Sequence, residues 1–203
     1  MLADDDPRWK QDALAQARAA CAGGAAVVQL RAKRATDREA LRLARAIRAL
    51  TRAAGLLFVM NDRFDLALAS GADGVHLGQD DLPPARLPAA VRARLLVGRS
   101  THTLEQVARA QGEGVDYLGF GPVFGTRSKE SAWTARGPEL LAEAVRRAAP
   151  RPLIAIGGID RARAAEAMRA GAAGVAVISA VAAAADPLKA VRELAQALRG
   201  AAR

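Results

Sequence analysis

Residues 27–33 read Val27-Val28-Gln29-Leu30-Arg31-Ala32-Lys33, a short apolar start followed by polar side chains on alternate positions, with no glycine. The β-branched opening suits a strand at residues 27–31 buried in a parallel sheet. The alternation puts Gln29, Arg31 and Lys33 on one side of an extended segment. Short apolar runs recur at residues 56–62, 74–79, 95–101, 117–124, 152–158 and 174–180. Amphipathic, helix-like stretches lie between them, at residues 37–53, 103–112, 138–149, 160–170 and 187–198, and one at 7–22 precedes them all. Thr36 and Asp160 stand where N-caps belong. Alternating strands and helices imply a parallel sheet. An open doubly wound sheet would carry a glycine-rich turn after its first strand, and residues 27–33 have none. A (β/α)8 barrel instead puts polar residues at the C-terminal ends of many strands. This chain does so with Arg31 and Lys33, Asn61 and Asp62, Gln79 and Asp81, Ser100, Thr126 and Ser128, Gly157 and Gly158, and Ser179. The fold class expected is α/β, a (β/α)8 TIM barrel, with residues 1–203 as one domain.

That pattern supplies seven strands, one fewer than the barrel needs. Residues 1–6, Met-Leu-Ala-Asp-Asp-Asp, are too few and too acidic to suggest a buried parallel strand. The barrel is therefore expected to lack its first N-terminal strand, as a shortened form whose flanking strands face a gap.

Composition narrows the function. Apolar residues make up 51% of the chain, which argues against disorder. Aromatic residues are only 3%, so Ala, Val, Leu and Ile must build the core. No apolar run approaches the roughly 18 residues of a membrane span. The acidic N-terminus is unlike a secretory signal. Cys21 is the single cysteine, so no internal disulfide forms, and a cytoplasmic location is expected. The net charge of +9 raises nucleic acid as a partner. The basic residues, however, are spread along helix-like segments, and stacking aromatics are scarce. No nucleic-acid or membrane partner is expected. The sequence leaves oligomeric state open and is compatible with a homo-oligomer.

Residues 153–158, Leu-Ile-Ala-Ile-Gly-Gly, precede a helix, and residues 174–179, Gly-Val-Ala-Val-Ile-Ser, end the next strand. Glycine lets a backbone approach a phosphate, and helix N-termini offer free N–H groups. Barrels often place phosphate after strands seven and eight. The same glycines also suit tight turns. Asn61 and Asp62, then Asp80 and Asp81, end successive strands, and Asp81 is preferred of the second pair. Two carboxylates offer hard oxygen ligands that suit Mg²⁺, which often takes one or two carboxylates beside substrate phosphates. Asp62 would also serve as a helix N-cap, and Asp80 as a turn residue. Arg31, Lys33 and Lys129 with Thr126 and Ser128 describe a pocket for a highly charged anion. The other use for Arg31 and Lys33 is to pair with acids at the rim. His102, just past a strand, is either an acid–base group or a helix cap. His76 reads as a structural residue, and Phe124 and Trp133 read as packing or lid residues.

Together these segments resemble the thiamine-phosphate synthase family, from residue 27 through the last helix. Residues 29–33, Gln-Leu-Arg-Ala-Lys, look like that family's diphosphate motif. Asn61-Asp62, with residues 72–81 (Ala-Asp-Gly-Val-His-Leu-Gly-Gln-Asp-Asp), look like its metal-binding pair. Residues 98–102, Gly-Arg-Ser-Thr-His, and 121–129, Gly-Pro-Val-Phe-Gly-Thr-Arg-Ser-Lys, match two more elements, with Ser128 in place of a threonine. The resemblance implies a transferase that joins a pyrimidine diphosphate to a thiazole phosphate and releases diphosphate. It implies Mg²⁺ as cofactor on Asp62 and Asp81. Arg31, Lys33, Asn61 and Lys129 would contact the diphosphate, and Gln29 and Ser100 would line the same substrate's site. Thr126, Ser128, Gly158, Ile178 and Ser179 would bind the thiazole phosphate. Arg31, Lys33 and Lys129 would carry most of the catalysis. A thiazole tautomerase using His102, or a non-catalytic thiazole- or thiamine-phosphate-binding protein, stand as alternatives from the same superfamily and from a different class.

Overall fold

All seven strands read from the sequence form, and an eighth precedes them. The computed structural model describes residues 1–125 and 133–201. Its strands are β1 (Leu2–Asp4), β2 (Val27–Arg31), β3 (Leu57–Asn61), β4 (Gly74–Leu77), β5 (Leu96–Thr101), β6 (Tyr117–Phe120), β7 (Leu153–Ile156) and β8 (Gly174–Ala176). They make one sheet in sequential order. The pairings of β1 through β4, and of β5 through β8, are parallel.

Helices alternate with the strands: α1 (Ala13–Gly23), α2 (Asp37–Ala54), α3 (Phe64–Ser70), α4 (Ala89–Arg92), α5 (Leu104–Ala110), α6 (Gly137–Ala148), α7 (Arg161–Arg169), α8 (Ser179–Ala182) and α9 (Pro187–Ala201). Sequential strand order with a helix after each strand is the (β/α)8 arrangement. None of the described helices is long and apolar enough to cross a membrane.

The chain divides into two compact units. One comprises Met1–His76, Pro88–Leu96 and Ile178–Ala195, and the other Leu77–Leu87, Val97–Val177 and the residues from Gln196 on. Leu30, Ile47, Phe58 and Met60 are fully buried in the first, and Leu118, Phe120, Leu141 and Leu153 in the second. Local chemistry explains where several helices start. Thr36 accepts from the Glu39 N–H while the Glu39 carboxylate accepts from the Thr36 N–H, a complete capping box at the start of α2. Asp160 caps α7 through the Arg163 N–H. Gly55 ends α2 at φ 69°, a left-handed conformation that glycine adopts without strain.

The expectation of a missing first strand was wrong. Leu2, Ala3 and Asp4 are all buried, and they pair in register with Gln29, Leu30 and Arg31. The acidic residues that argued against a strand are hydrogen-bond acceptors with specific donors. The Asp4 carboxylate, in a residue only 1% exposed, accepts from the Asp6 N–H at 2.8 Å and from Trp9 Nε1 at 3.1 Å, and it pairs with Arg31 Nη1 at 2.7 Å. The buried Gln16 amide accepts from the Asp4 N–H and donates to the Asp4 carbonyl, both at 3.0 Å, so this side chain does for the short strand what a second neighbouring strand would do. Asp5 accepts the backbone N–H groups of Lys33, Arg34 and Ala35 at 2.8–2.9 Å. The leading helix is correspondingly shorter than residues 7–22, because residues up to Asp12 are spent on these contacts and on the α1 cap.

Replacing Asp4 with Ala leaves the Arg31 guanidinium without its buried acid. Breaking such a pair costs about 3–5 kcal/mol, which for a chain of this size lowers Tm by roughly 6–20 °C. A thermal melt of Asp4→Ala measures this directly, and an unchanged melt would mean that β1 contributes nothing to the fold.

Candidate active site

The candidates among the described residues fall at or near the C-terminal ends of strands, where each strand hands over to a polar loop. On β2, Val28 and Leu30 are buried while Gln29 and Arg31 are half-buried, as the alternation requires. Arg31 closes the strand and is held by Asp4. Lys33 lies beyond it on the loop that Asp5 pins, and its Nζ pairs with the carboxylate of Asp62. Both cations therefore have acid partners, the use the sequence left open for them. Asp4 and Asp5 were missed as supports for this loop. The available signal was three consecutive acids at the N-terminus of a basic chain.

Asn61 ends β3, and Asp62 follows at φ 64°, the one non-glycine residue at positive φ among those described. Aspartate tolerates this region better than most residues, and departures of this kind gather at functional sites. The Asp62 N–H donates to the His76 carbonyl at 2.8 Å, which ties the turn to β4. Asp62 is not a helix cap: α3 starts at Phe64 after Arg63, without a side-chain cap bond. After β4, Asp80 is exposed and Asp81 half-buried. Asp81 Oδ2 accepts from the Gly78 N–H at 2.6 Å, and among the described residues no hydrogen bond engages Oδ1. These are hard oxygen donors of the kind Mg²⁺ takes together with substrate phosphates. Among the described residues, no three His, Cys, Asp or Glu side chains gather into a metal cluster.

Ser100, half-buried on β5, accepts from Gln79 Nε2 through its carbonyl at 2.6 Å. His102 is not a cap either. The hydroxyl of Thr103 caps α5, while the His102 ring engages the Gly121 carbonyl through Nδ1 and stacks on Trp133 at 5.4 Å. The expected roles of Thr126, Ser128 and Lys129 lie outside the described residues.

After β7, Gly157 and Gly158 have φ values of 100° and 64°. A Cβ on Gly158 would come within 2.4 Å of the Gly125 carbonyl oxygen and 2.8 Å of the Phe124 oxygen. Glycine is required there by conformation and by the packing of its own loop against the segment after β6. Ile178 is buried after β8, and Ser179 is exposed at the first position of α8. The cavity of about 510 Å³ lined by Arg161, Ala165, Arg169 and Gln196 contains none of the candidates.

Comparison with known proteins points to one family. The family model for thiamine monophosphate synthase matches residues 1–181. The chain is 49% identical over 196 residues to thiamine-phosphate synthase of Anaeromyxobacter dehalogenans (strain 2CP-C), covering 94% of this chain and 87% of that one. It is 48% identical over 176 residues to thiamine-phosphate synthase of Chloroflexus aurantiacus, covering 87% and 81%. The solved structure of thiamine phosphate pyrophosphorylase from Pyrococcus furiosus superposes with a TM-score of 0.88 at 38% identity, over 98% of this chain and 95% of that one.

The two kinds of positive-φ glycine should separate on substitution. Gly55 has open space where a Cβ would go, so Gly55→Ala costs about 1–2 kcal/mol of left-handed strain and roughly 2–8 °C in Tm. Gly158→Ala adds backbone clashes and should cost clearly more. Equal melts for the two variants would contradict the packing assigned to Gly158.

Proposed function

The chain belongs to the thiamine monophosphate synthase family, and from that premise we propose which of its residues run the reaction and that the reaction requires Mg²⁺. It is a transferase for small phosphorylated substrates: it couples 4-amino-2-methyl-5-hydroxymethylpyrimidine diphosphate with hydroxyethylthiazole phosphate to give thiamine phosphate and diphosphate. The observation that carries the residue assignment is the Lys33–Asp62 ion pair. It joins the cation of the diphosphate motif to a carboxylate of the metal motif, from two strands that neighbour each other in the sheet.

In this reading the thiazole nitrogen displaces diphosphate from the pyrimidine's methylene carbon through a carbocation-like state. No activated nucleophile on the protein is needed. The protein's task is to hold two substrates in line and to stabilise a departing anion. Asp62 and Asp81 hold the metal. Bound Mg²⁺ supplies Lewis-acid neutralisation of the diphosphate charge as it grows. Arg31, Lys33, Asn61 and Lys129 contact the diphosphate, and Asp4 and Asp5 keep Arg31 and the Lys33 loop in position for it. Gln29 and Ser100 line the pyrimidine site. Thr126, Ser128, Gly158, Ile178 and Ser179 take the thiazole phosphate, with the Gly158 turn letting backbone approach the anion.

Asp62→Ala and Asp81→Ala should each lower kcat/KM by about 100-fold or more, as loss of a preorganised charge contact does, and each should weaken binding of the pyrimidine diphosphate. Steady-state kinetics across a Mg²⁺ titration check this, and full activity of either variant in EDTA would remove the metal assignment. Lys129→Ala should depress kcat with little change in the thiazole KM, because leaving-group charge is greatest in the transition state. A change confined to the thiazole KM would place Lys129 on the other substrate.

A further inference from the structure

Arg99 is a charge inside the sheet. It lies in the middle of β5 and is 4% exposed. Its acid partner is Glu113, with Nε and Oε2 3.2 Å apart but off the hydrogen-bonding direction, so charge and not a directed bond holds the pair. Among the described residues its directed bond runs elsewhere: Nη1 donates to the Gly78 carbonyl at 2.5 Å. Gly78 is the residue whose N–H donates to Asp81 Oδ2. Arg99 thus holds one face of the residue whose other face holds the carboxylate. A second tie joins the same loop to the same strand, from Gln79 Nε2 to the Ser100 carbonyl.

Stability alone does not call for this arrangement. Buried ion pairs are commonly replaceable by apolar side chains of similar volume at no loss, and the neighbouring β5 positions Val97 and Gly98 are buried without charge. What an apolar residue at position 99 cannot do is donate to Gly78. Mg²⁺ demands near-ideal geometry from its ligands, and a carboxylate on an untied four-residue loop would not keep it.

We propose that Arg99 is a positioning residue: anchored on Glu113, it fixes Gly78 and through it the aim of the Asp81 carboxylate. This rests on the reading of Asp81 as a metal ligand. Arg99 touches neither substrate and acts only through the loop of residues 78–81. The reaction therefore depends on Glu113, which lies in the turn before β6 and outside every motif read from the sequence.

The test replaces the pair with apolar residues, Arg99→Met with Glu113→Leu, and measures binding of magnesium diphosphate by calorimetry beside a thermal melt and steady-state kinetics. The double variant should melt close to the parent. Its affinity for magnesium diphosphate should fall roughly 10- to 100-fold, the range seen when supports of metal ligands are removed, while the thiazole KM stays put. Arg99→Lys keeps a buried charge opposite Glu113 but cannot span Glu113 and Gly78 together, so it should show the same loss, and it serves if the double variant does not fold. Parent-like affinity in either folded variant overturns the proposal. Asp81→Asn separates the two readings. If it too binds magnesium diphosphate normally, the metal assignment falls and the positioning role with it. If it binds poorly while the Arg99 variants bind well, only the positioning role falls.

Discussion

The ion pair between Asp4 and Arg31 is the contact on which the N-terminal part of the molecule depends. A carboxylate that is 1% exposed would be costly to bury alone. Here it is charge-paired at 2.7 Å and also accepts from Asp6 and Trp9. That satisfaction lets a strand of only three residues stand beside β2. The same contact fixes Arg31, and the next acid, Asp5, gathers three successive N–H groups of the loop that carries Lys33. The N-terminal acids thus complete the sheet and set two of the cations expected to meet the diphosphate.

The carboxylates at the strand ends follow a common logic. Neither is left to find its own orientation. Asp62 is set by a positive φ and by a backbone bond to β4, and it is paired with Lys33. Asp81 is set by the N–H of Gly78. Groups fixed before substrate arrives need no reorganisation when charge develops on a leaving group, and this is where much of the rate of such reactions originates.

Much of the fold was legible because its signals are local. β2 has the bounds that its pattern indicated, and Thr36 and Asp160 cap helices as their positions suggested. The strand ends were drawn too far: the runs at 74–79, 117–124 and 174–180 end as strands at Leu77, Phe120 and Ala176. Apolar character continues past the end of β6 and β8, while Gly78, and Gly121 with Pro122, mark the handover after β4 and β6. What stayed hidden was long-range pairing. Three acids in a row look solvated until Arg31, Gln16 and the Lys33 loop are brought to them. Arg99 sits within the apolar run 95–101, and its partner Glu113 lies in a turn with no motif. For His102, the Gly121 carbonyl and Trp133 are distant in sequence, so the choice between cap and catalyst could not foresee a third use.

The assignment of reaction is tested most directly by following diphosphate release from the purified chain, with each substrate alone and with both, in Mg²⁺ and in EDTA. Stoichiometric diphosphate and thiamine phosphate should form only when both substrates and Mg²⁺ are present. Isomerisation of a thiazole carboxylate phosphate without diphosphate release, or tight binding of the thiazole phosphate with no turnover, would contradict it.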